Sequence, residues 1–281
     1  MSDRGNGTVL VLGATGQVGV CILRRLARAG RPAIALCRNP PADSLPGIEW
    51  LARDLRQPLD LGAAKAEMAI HATGAWHLPP HLAALHAAGV RRLVCFSSTS
   101  KVTKADSSSA GERNIAGRLA AAEKAVAESG MAWTVLRPTL IYGLGLDQNV
   151  SAAARFIRRW HFFPLAGPGR GLRQPVHADD LAAAAVRLLD DDTHAGRSFD
   201  IAGAETMTYR AMIERIFVAL GLKPRFLRLP GLGAMPGRVG AVAQRMEQDL
   251  SIDNNEVWQQ LGLAPRNFLA GGRADLGSAA S

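Results

Sequence analysis

Three glycines at fixed spacing, Gly13, Gly16 and Gly19, stand between an apolar run and a helical pattern. Val9-Leu10-Val11-Leu12 precedes the turn Gly13-Ala14-Thr15-Gly16-Gln17-Val18-Gly19. Val18, Ile22 and Leu26 then recur at helical spacing through Ala29, and Gly30 sits where a helix would stop. Strand, glycine turn and helix in that order are the context of a dinucleotide fingerprint. The turn lets the backbone approach a pyrophosphate, and the first N–H groups of the helix point at its oxygens, where the helix dipole favours negative charge. Gly13 serves the tight turn, Gly16 the close approach and Gly19 the helix–strand packing. The spacing is G-x-x-G-x-x-G rather than the G-x-G-x-x-G of the common dehydrogenases.

The elements that must position such a turn follow in alternation. Strands are read at Ala33–Cys37, Ile48–Ala52, Met68–Ala72, Arg92–Phe96 and Trp133–Arg137, with helices at His81–Ala88 and Glu112–Ser129. Ser109 and Glu112 have capping-box spacing at the start of the long helix. This βαβ rhythm predicts an α/β fold, a doubly wound parallel Rossmann sheet with right-handed crossovers. Beyond it, helices are read at Asn149–Trp160, Asp179–Leu189 and Thr208–Leu220, a short strand at Ser198–Ile201, and loops and short helices over Pro224–Gly240. The expected organisation is a dinucleotide-binding domain over 1–145 and a smaller, partly interleaved substrate lobe over 146–281.

The chain has 281 residues, 48% of them hydrophobic, enough for a large core and one or two domains. Its net charge of +9 rests mainly on arginines spread along the chain, with lysines only at 65, 101, 104, 124 and 223. That pattern reads as a solvated surface favouring anionic ligands, not as a nucleic-acid site. Cys21, Cys37 and Cys95 are odd in number and show no C-x-x-C spacing. They read as buried, reduced thiols of a cytoplasmic protein, and no metal site is expected. No signal peptide and no stretch of transmembrane length is read.

Several segments together resemble the extended short-chain dehydrogenases/reductases, the NAD-dependent epimerase/dehydratase group. They are the glycine turn, Leu93-Val94-Cys95-Phe96-Ser97-Ser98-Thr99, Leu136-Arg137-Pro138-Thr139-Leu140-Ile141-Tyr142-Gly143, Val176-His177-Ala178-Asp179-Asp180, Ile201-Ala202-Gly203 and Leu261-Gly262-Leu263-Ala264-Pro265-Arg266. The resemblance implies an NAD(P) cofactor. It also implies a tyrosine followed four residues later by a lysine. The tyrosine exchanges a proton with the substrate, and the lysine lowers its pKa and holds the nicotinamide ribose. The only tyrosines are Tyr142 and Tyr209, with Leu146 and Ile213 four residues on. With Ala121-Ala122-Glu123 as anchor, the family positions fall on Ile115 and Leu119, which can neither move a proton nor carry a charge.

The remaining site residues follow from the strand ends and from this resemblance. Arg38, after the second strand, suits the 2′-phosphate of NADP, where a carboxylate would bind the ribose of NAD; NADP is favoured. Asp54 and Leu55 resemble the family's adenine contact. Ala72, Thr73 and Gly74 border the adenosine ribose and phosphates, and His71 reads as a half-buried, satisfied histidine. Pro138, Thr139 and Leu140 match the segment that lies against the nicotinamide. Thr99, with Ser98 as alternative, matches the family's catalytic hydroxyl. Its structural alternative is a cap on local backbone. Lys101 and Lys104 read as a solvated loop, the alternative being a replacement for the missing cation. Tyr142, Arg173 and His177 are the candidate substrate residues, with Asp179 as a helix cap. Arg155, Arg158 and Arg159, interleaved with Phe156, Ile157, Trp160, Phe162 and Phe163, read as a lobe helix packing its apolar side inward; contact with a membrane surface or an anionic lipid-linked ligand is the alternative.

Two function classes follow. One is an oxidoreductase or epimerase-like enzyme acting on a small molecule such as a nucleotide-sugar, by a route lacking the usual tyrosine and lysine. The other is a non-catalytic dinucleotide-binding regulator or an accessory subunit of a respiratory complex. The resemblance also implies homodimers paired through the long helix.

Overall fold

In the computed structural model, residues 7–228, 246–252 and 255–277 are described. The Pro224–Gly240 expectation therefore lies largely outside the described residues.

β1 (Val9–Leu12) is at most 1% exposed at every residue. A strand buried on both faces has no polar alternation, which is why it reads as a continuous apolar run. Around it stand β2 (Ala33–Cys37), β3 (Ile48–Ala52), β4 (Met68–His71), β5 (Arg92–Phe96), β6 (Ala132–Pro138) and β11 (Arg197–Ile201). They form one seven-stranded sheet in the order β11-β6-β5-β4-β1-β2-β3, and every pairing is parallel. After β3 the chain crosses from one side of β1 to the other. The carboxyl ends of β1 and β4 thus flank a topological switch point, where ligands bind in sheets of this type.

α1 (Gln17–Arg28) buries Val18, Ile22 and Leu26, α2 (Leu82–Ala87) and α3 (Ser100–Thr103) are short, and α4 (Ala110–Ala127) buries Leu119, Ala122 and Val126. Leu10, Leu12, Leu36, Leu85, Leu93 and Val135 belong to one core cluster. Each such side chain contributes about 1.5–3 kcal/mol by leaving water. Cys21, Cys37 and Cys95 are buried and free, and burial pushes the Cys95 thiol up to about 12.

Two local expectations change. Ser109 is the N-cap of α4, but its side chain makes no capping bond. Glu112 instead accepts from Ser107 Oγ at 2.8 Å and pairs with Lys104 at 3.4 Å. Asp179 does not cap a helix either. It lies inside the first turn of α6 (Ala178–Leu189) and takes two hydrogen bonds of 2.8 Å from Arg25.

The chain divides into two compact units. The first comprises Met1–Pro138, Asp179–Ile201 and Asn255–Leu263; the second comprises Thr139–Ala178, Ala202–Asn254 and Ala264–Ser281. The first unit thus stops short of the boundary expected near 145 and resumes twice: once as β11 returns to complete the sheet beside β6, and once as the helix Asn255–Gln260 packs near β11. The second unit contains α5 (Val150–Trp160), α7 (Tyr209–Ala219) and three two-stranded pairings. In these, β7 (Ile141–Tyr142) pairs with β10 (Val176–His177), β9 (Leu172–Arg173) with β12 (Met207–Thr208), and β8 (Phe163–Leu165) with β13 (Phe226–Arg228). Its core gathers Tyr142, Ile157, Ile213, Ile216, Phe217 and Phe268.

Candidate functional site

The glycine turn sits at the switch point. Gly13 has a φ of +81°, a conformation that disfavours any side chain, and a Cβ there would lie 3.0 Å from Thr73 Cβ. A Cβ on Gly19 would overlap Gly13 O, so α1 packs against the turn only because Gly19 has no side chain. Gly16 is the N-cap of α1 and offers no side-chain cap, and the first turn of the helix holds no acidic residue. These N–H groups are left for an external acceptor, as a pyrophosphate site requires.

A cleft of about 280 Å³ opens beside this turn. Gly13, Thr15, Gly16, Arg38, Asp54, Leu55, Ala72 and Thr73 line it, together with Arg53, Arg56 and His77. Of the other residues read from the sequence, Ala14 is buried and donates its N–H to Leu36 O, and Gln17 and Val18 open α1. Gly74 caps a short 3₁₀ turn, and a Cβ there would lie 2.7 Å from the Trp76 ring.

The three arginines of the cleft differ. Arg56 grips Asp54 at 2.6–3.0 Å and holds that carboxyl down at about 2. Arg53 donates to Asp60 O at 2.5 Å and Ala52 O at 2.9 Å. Arg38 is exposed and makes no side-chain hydrogen bond or ion pair among the described residues. Arg53 and Arg56 escaped the sequence reading; the signal was their place directly after a parallel strand, at the ligand edge of the sheet.

His71, at the end of β4, is fully buried rather than half-buried, and neither ring nitrogen has a partner. Burial, aided by the charges of His77 and His81, pushes its pKa down to about 3, so the ring is neutral.

At the ends of β5 and β6 the hydroxyls take different parts. Thr99 is buried; its Oγ1 donates to Pro138 O at 3.3 Å and its N–H to the same oxygen at 3.2 Å. It ties the two strand ends together, and its proton is committed to backbone. Half-buried Ser98 accepts from the Ser100 N–H at 3.1 Å, and its own proton has no acceptor among the described residues.

Behind these hydroxyls, the buried Glu123 accepts from Ser97 Oγ at 2.7 Å, Lys101 Nζ at 2.6 Å and Arg137 Nη2 at 2.6 Å. Burial alone would raise the Glu123 pKa, but the bonds from Arg137, Lys101 and Ser97 outweigh it and hold the carboxyl below its ordinary range. Lys101 is therefore not part of a solvated loop. Ile115 and Leu119 pack with Ala75, Trp76 and Ala122, and Arg118 lies 4.7 Å over the Trp76 ring. An apolar wall stands on the face of α4 where the family resemblance would place an acid and a cation.

Leu140, expected against the nicotinamide, falls in the second unit and packs on its core. Tyr142, expected to face substrate, is fully buried there. Its hydroxyl donates to Asn267 O at 3.4 Å and accepts from the Leu269 N–H at 3.1 Å. Arg173 is 3% exposed and donates to Leu172 O and Gln248 O at 2.7 and 2.6 Å, with its guanidinium 5.2 Å over Tyr209. His177 is buried, meets Tyr142 edge-on at 5.1 Å and lies 3.5 Å from Asp275. All three serve the interior of the second unit, because their polar atoms bond to neighbouring segments.

Comparison with known proteins agrees with this geometry. The family described as NAD(P)H-binding matches residues 13–192. A (4-alkanoyl-5-oxo-2,5-dihydrofuran-3-yl)methyl phosphate reductase of Streptomyces griseus is 32% identical over 84% of this chain and 81% of its own. An NAD(P)H azoreductase of Xenophilus azovorans is 28% identical over 94% and 89%. A mitochondrial NADH dehydrogenase [ubiquinone] 1 alpha subcomplex subunit 9 of Arabidopsis thaliana is 32% identical over 40% of this chain, and the match spans only 28% of that subunit's length. Among solved structures, MoeE5 in complex with UDP-glucuronic acid and NAD has a TM-score of 0.75 at 20% identity, over 96% of this chain and 97% of that one. With its glycine turn at the switch point of a parallel sheet, the chain belongs to the NAD(P)H-binding family and has the Rossmann architecture of the NAD-dependent epimerases and dehydratases.

Proposed function

We propose that this protein is an NADPH-dependent reductase of small molecules whose reduction draws on no ionisable acid from the protein. The observation that carries this reading is the cleft in which the glycine turn meets an unpaired Arg38. Arg38 stands where a carboxylate would bind the ribose diol of NAD, and the Asp54 carboxylate of the same cleft is paired with Arg56. Arg38, with Arg53 beside it, offers the 2′-phosphate of NADPH a guanidinium with free donors. Ala72, Thr73 and Gly74 would border the adenosine side, and Pro138 the nicotinamide side.

Bound NADPH would supply a hydride. Ser98, whose hydroxyl proton has no acceptor among the described residues, would hydrogen-bond the charge arriving on the substrate without giving up that proton, while Thr99 fixes the ends of β5 and β6 that carry this edge. General acid catalysis contributes about 10²–10⁴-fold, and the Ile115–Leu119 wall supplies none. The reading therefore favours acceptors that delocalise the arriving charge and take their proton from water, such as azo compounds or conjugated carbonyls. The reductase activities of the two relatives that match over most of their length support this choice.

Fluorescence titration tests the cofactor assignment. The expected result is NADPH binding at least tenfold tighter than NADH, with Arg38→Gln removing the preference. Equal affinities in the wild type would sink it. A non-catalytic dinucleotide-binding role is the second reading, favoured by the apolar wall and by the matching segment of the respiratory-complex subunit. The loss of 340 nm absorbance from bound NADPH on adding azo dyes and conjugated carbonyls separates the two. Cofactor that stays reduced against all of them favours the second.

A further inference from the structure

The second unit carries a group of like charges for which the proposed reduction has no use. On α5, Arg155 donates to Gly145 O at 3.3 Å, and Arg158, one helical turn on, donates to Gly277 O at 3.2 Å. Gly145 and Gly277 are backbone neighbours: a Cβ on Gly145 would lie 3.0 Å from Gly277 Cα. Both have positive φ, +74° and +76°, so two tight turns cross here and bring the arginines to one place. Arg273 stands on the 3₁₀ turn Gly272–Leu276 that leads into Gly277 and packs on α5. The three arginines thus gather on one side of α5, close enough that the charges of Arg155 and Arg273 act on Arg158.

None of the three forms an ion pair among the described residues. The carboxylates nearest in sequence are committed elsewhere. Asp147 accepts from the Asn149 and Ser151 N–H groups and the Ser151 hydroxyl. Asp275 accepts from the Gly271 N–H and faces His177. Arg158 Nε is buried and has no acceptor. Burial, then the charges of Arg273 and Arg155, push the Arg158 pKa below its ordinary value. An arrangement that holds cations together and leaves a buried N–H donor unmet is relieved by an anion rich in acceptor oxygens.

We propose that Arg155, Arg158 and Arg273 form a binding site for a phosphate-class dianion, separate from the dinucleotide cleft. The phosphate is that of a soluble ligand or of a lipid headgroup. Arg159 stacks 5.3 Å over the Trp160 ring beside the site, and that ring is 55% exposed. An exposed tryptophan next to arginines suits either source, so the test must separate them.

The probes are inorganic phosphate, followed by thermal melting at constant ionic strength in a chloride background, and sedimentation with vesicles of phosphatidylglycerol and phosphatidylcholine. The expected result is a saturable rise in Tm with phosphate, weakened at least tenfold in midpoint by R158Q/R273Q. Arg187→Gln, which removes the same charge from an exposed site on α6, keeps the wild-type midpoint. R273Q alone raises Tm in phosphate-free buffer, because it relieves the repulsion. Sedimentation with phosphatidylglycerol vesicles, lost in R158Q/R273Q and without a response to free phosphate, assigns the site to a headgroup. No saturable response to phosphate or to anionic vesicles, or a response that R158Q/R273Q leaves unchanged, overturns the proposal.

Discussion

Arg137 holds Glu123 with three contacts, Nε at 3.0 and 3.2 Å from the two carboxylate oxygens and Nη2 at 2.6 Å from one of them. Lys101 adds a third donor nitrogen at 2.6 Å, so one buried carboxylate neutralises two cations between the β5 end, α4 and β6. Removing the charge strands Lys101 and leaves Arg137 with Asp200 alone, 3.5 Å away. Glu123→Gln is expected to destabilise the protein by about 3 kcal/mol in urea unfolding, the lower end for breaking a buried pair because Lys101 is partly exposed and Arg137 keeps Asp200. The folded carboxyl is held below its unfolded value, so this stabilisation is present above the unfolded value of 4.5 and is lost as pH falls through the folded one. A variant as stable as wild type at pH 7 would show that the network does not anchor this edge.

His71 adds an acid sensitivity of the same sign at higher pH, from a buried neutral ring rather than a paired carboxylate. Its folded ring stays neutral down to about 3, while the unfolded ring takes a proton below its ordinary 6.5. The unfolded state then binds more protons, so stability falls with decreasing pH from about 6.5 towards 3, by about 1.4 kcal/mol per pH unit. Because neither nitrogen has a partner, His71→Leu is expected to stay within about 1 kcal/mol of wild type at pH 7 and to flatten the slope between pH 6 and 4. An unchanged slope, read by unfolding at each pH, would count against the buried neutral ring.

Gly19→Ala places a methyl group against Gly13 O and within 2.9 Å of the Ala14 backbone. α1 must then shift away from the turn. The expected outcome is at least tenfold weaker NADPH binding with a lowered Tm, since overpacking costs about 1–3 kcal/mol. Retention of wild-type affinity by titration would remove the turn from the cofactor site.

Tyr142→Phe tests whether this tyrosine serves the fold or the substrate. The variant deletes the acceptor of the Leu269 N–H and keeps the ring against His177 and Phe268. A loss of about 1–3 kcal/mol is expected from the stranded donor, with turnover within twofold of wild type. A fall in kcat of tenfold or more at unchanged stability would restore Tyr142 to the substrate list.

Much of the first unit was legible because its signals are local. The Val9–Leu12 run, the Gly13–Gly19 turn and the apolar spacing of Val18, Ile22 and Leu26 each depend on near neighbours, and the structure keeps all three. The absence of a tyrosine–lysine pair was equally plain from residue counts. What was illegible depends on partners far away in sequence. Asp179 looked like a helix cap because Arg25, 154 residues earlier, is invisible in a local window. Arg173 and His177 read as ligand residues because the family resemblance puts substrate contacts in the equivalent stretch. Their partners at Gln248 and Asp275 lie beyond the range of any motif. Thr99 is the intermediate case, since both of its roles were in view and only the Pro138 carbonyl decided between them.

The first unit is assembled from three separate stretches of chain. During synthesis, β6 is made long before β11, its neighbour in the sheet, and about 60 residues of mostly second-unit chain emerge between them. Until then the flank of β6 is an open edge able to recruit any passing strand. A fragment cut at residue 145 would keep that edge permanently, although it contains every glycine of the turn. Such a fragment would be sticky in solution, and a nascent chain paused between 145 and 197 would need shelter from its neighbours on the same message.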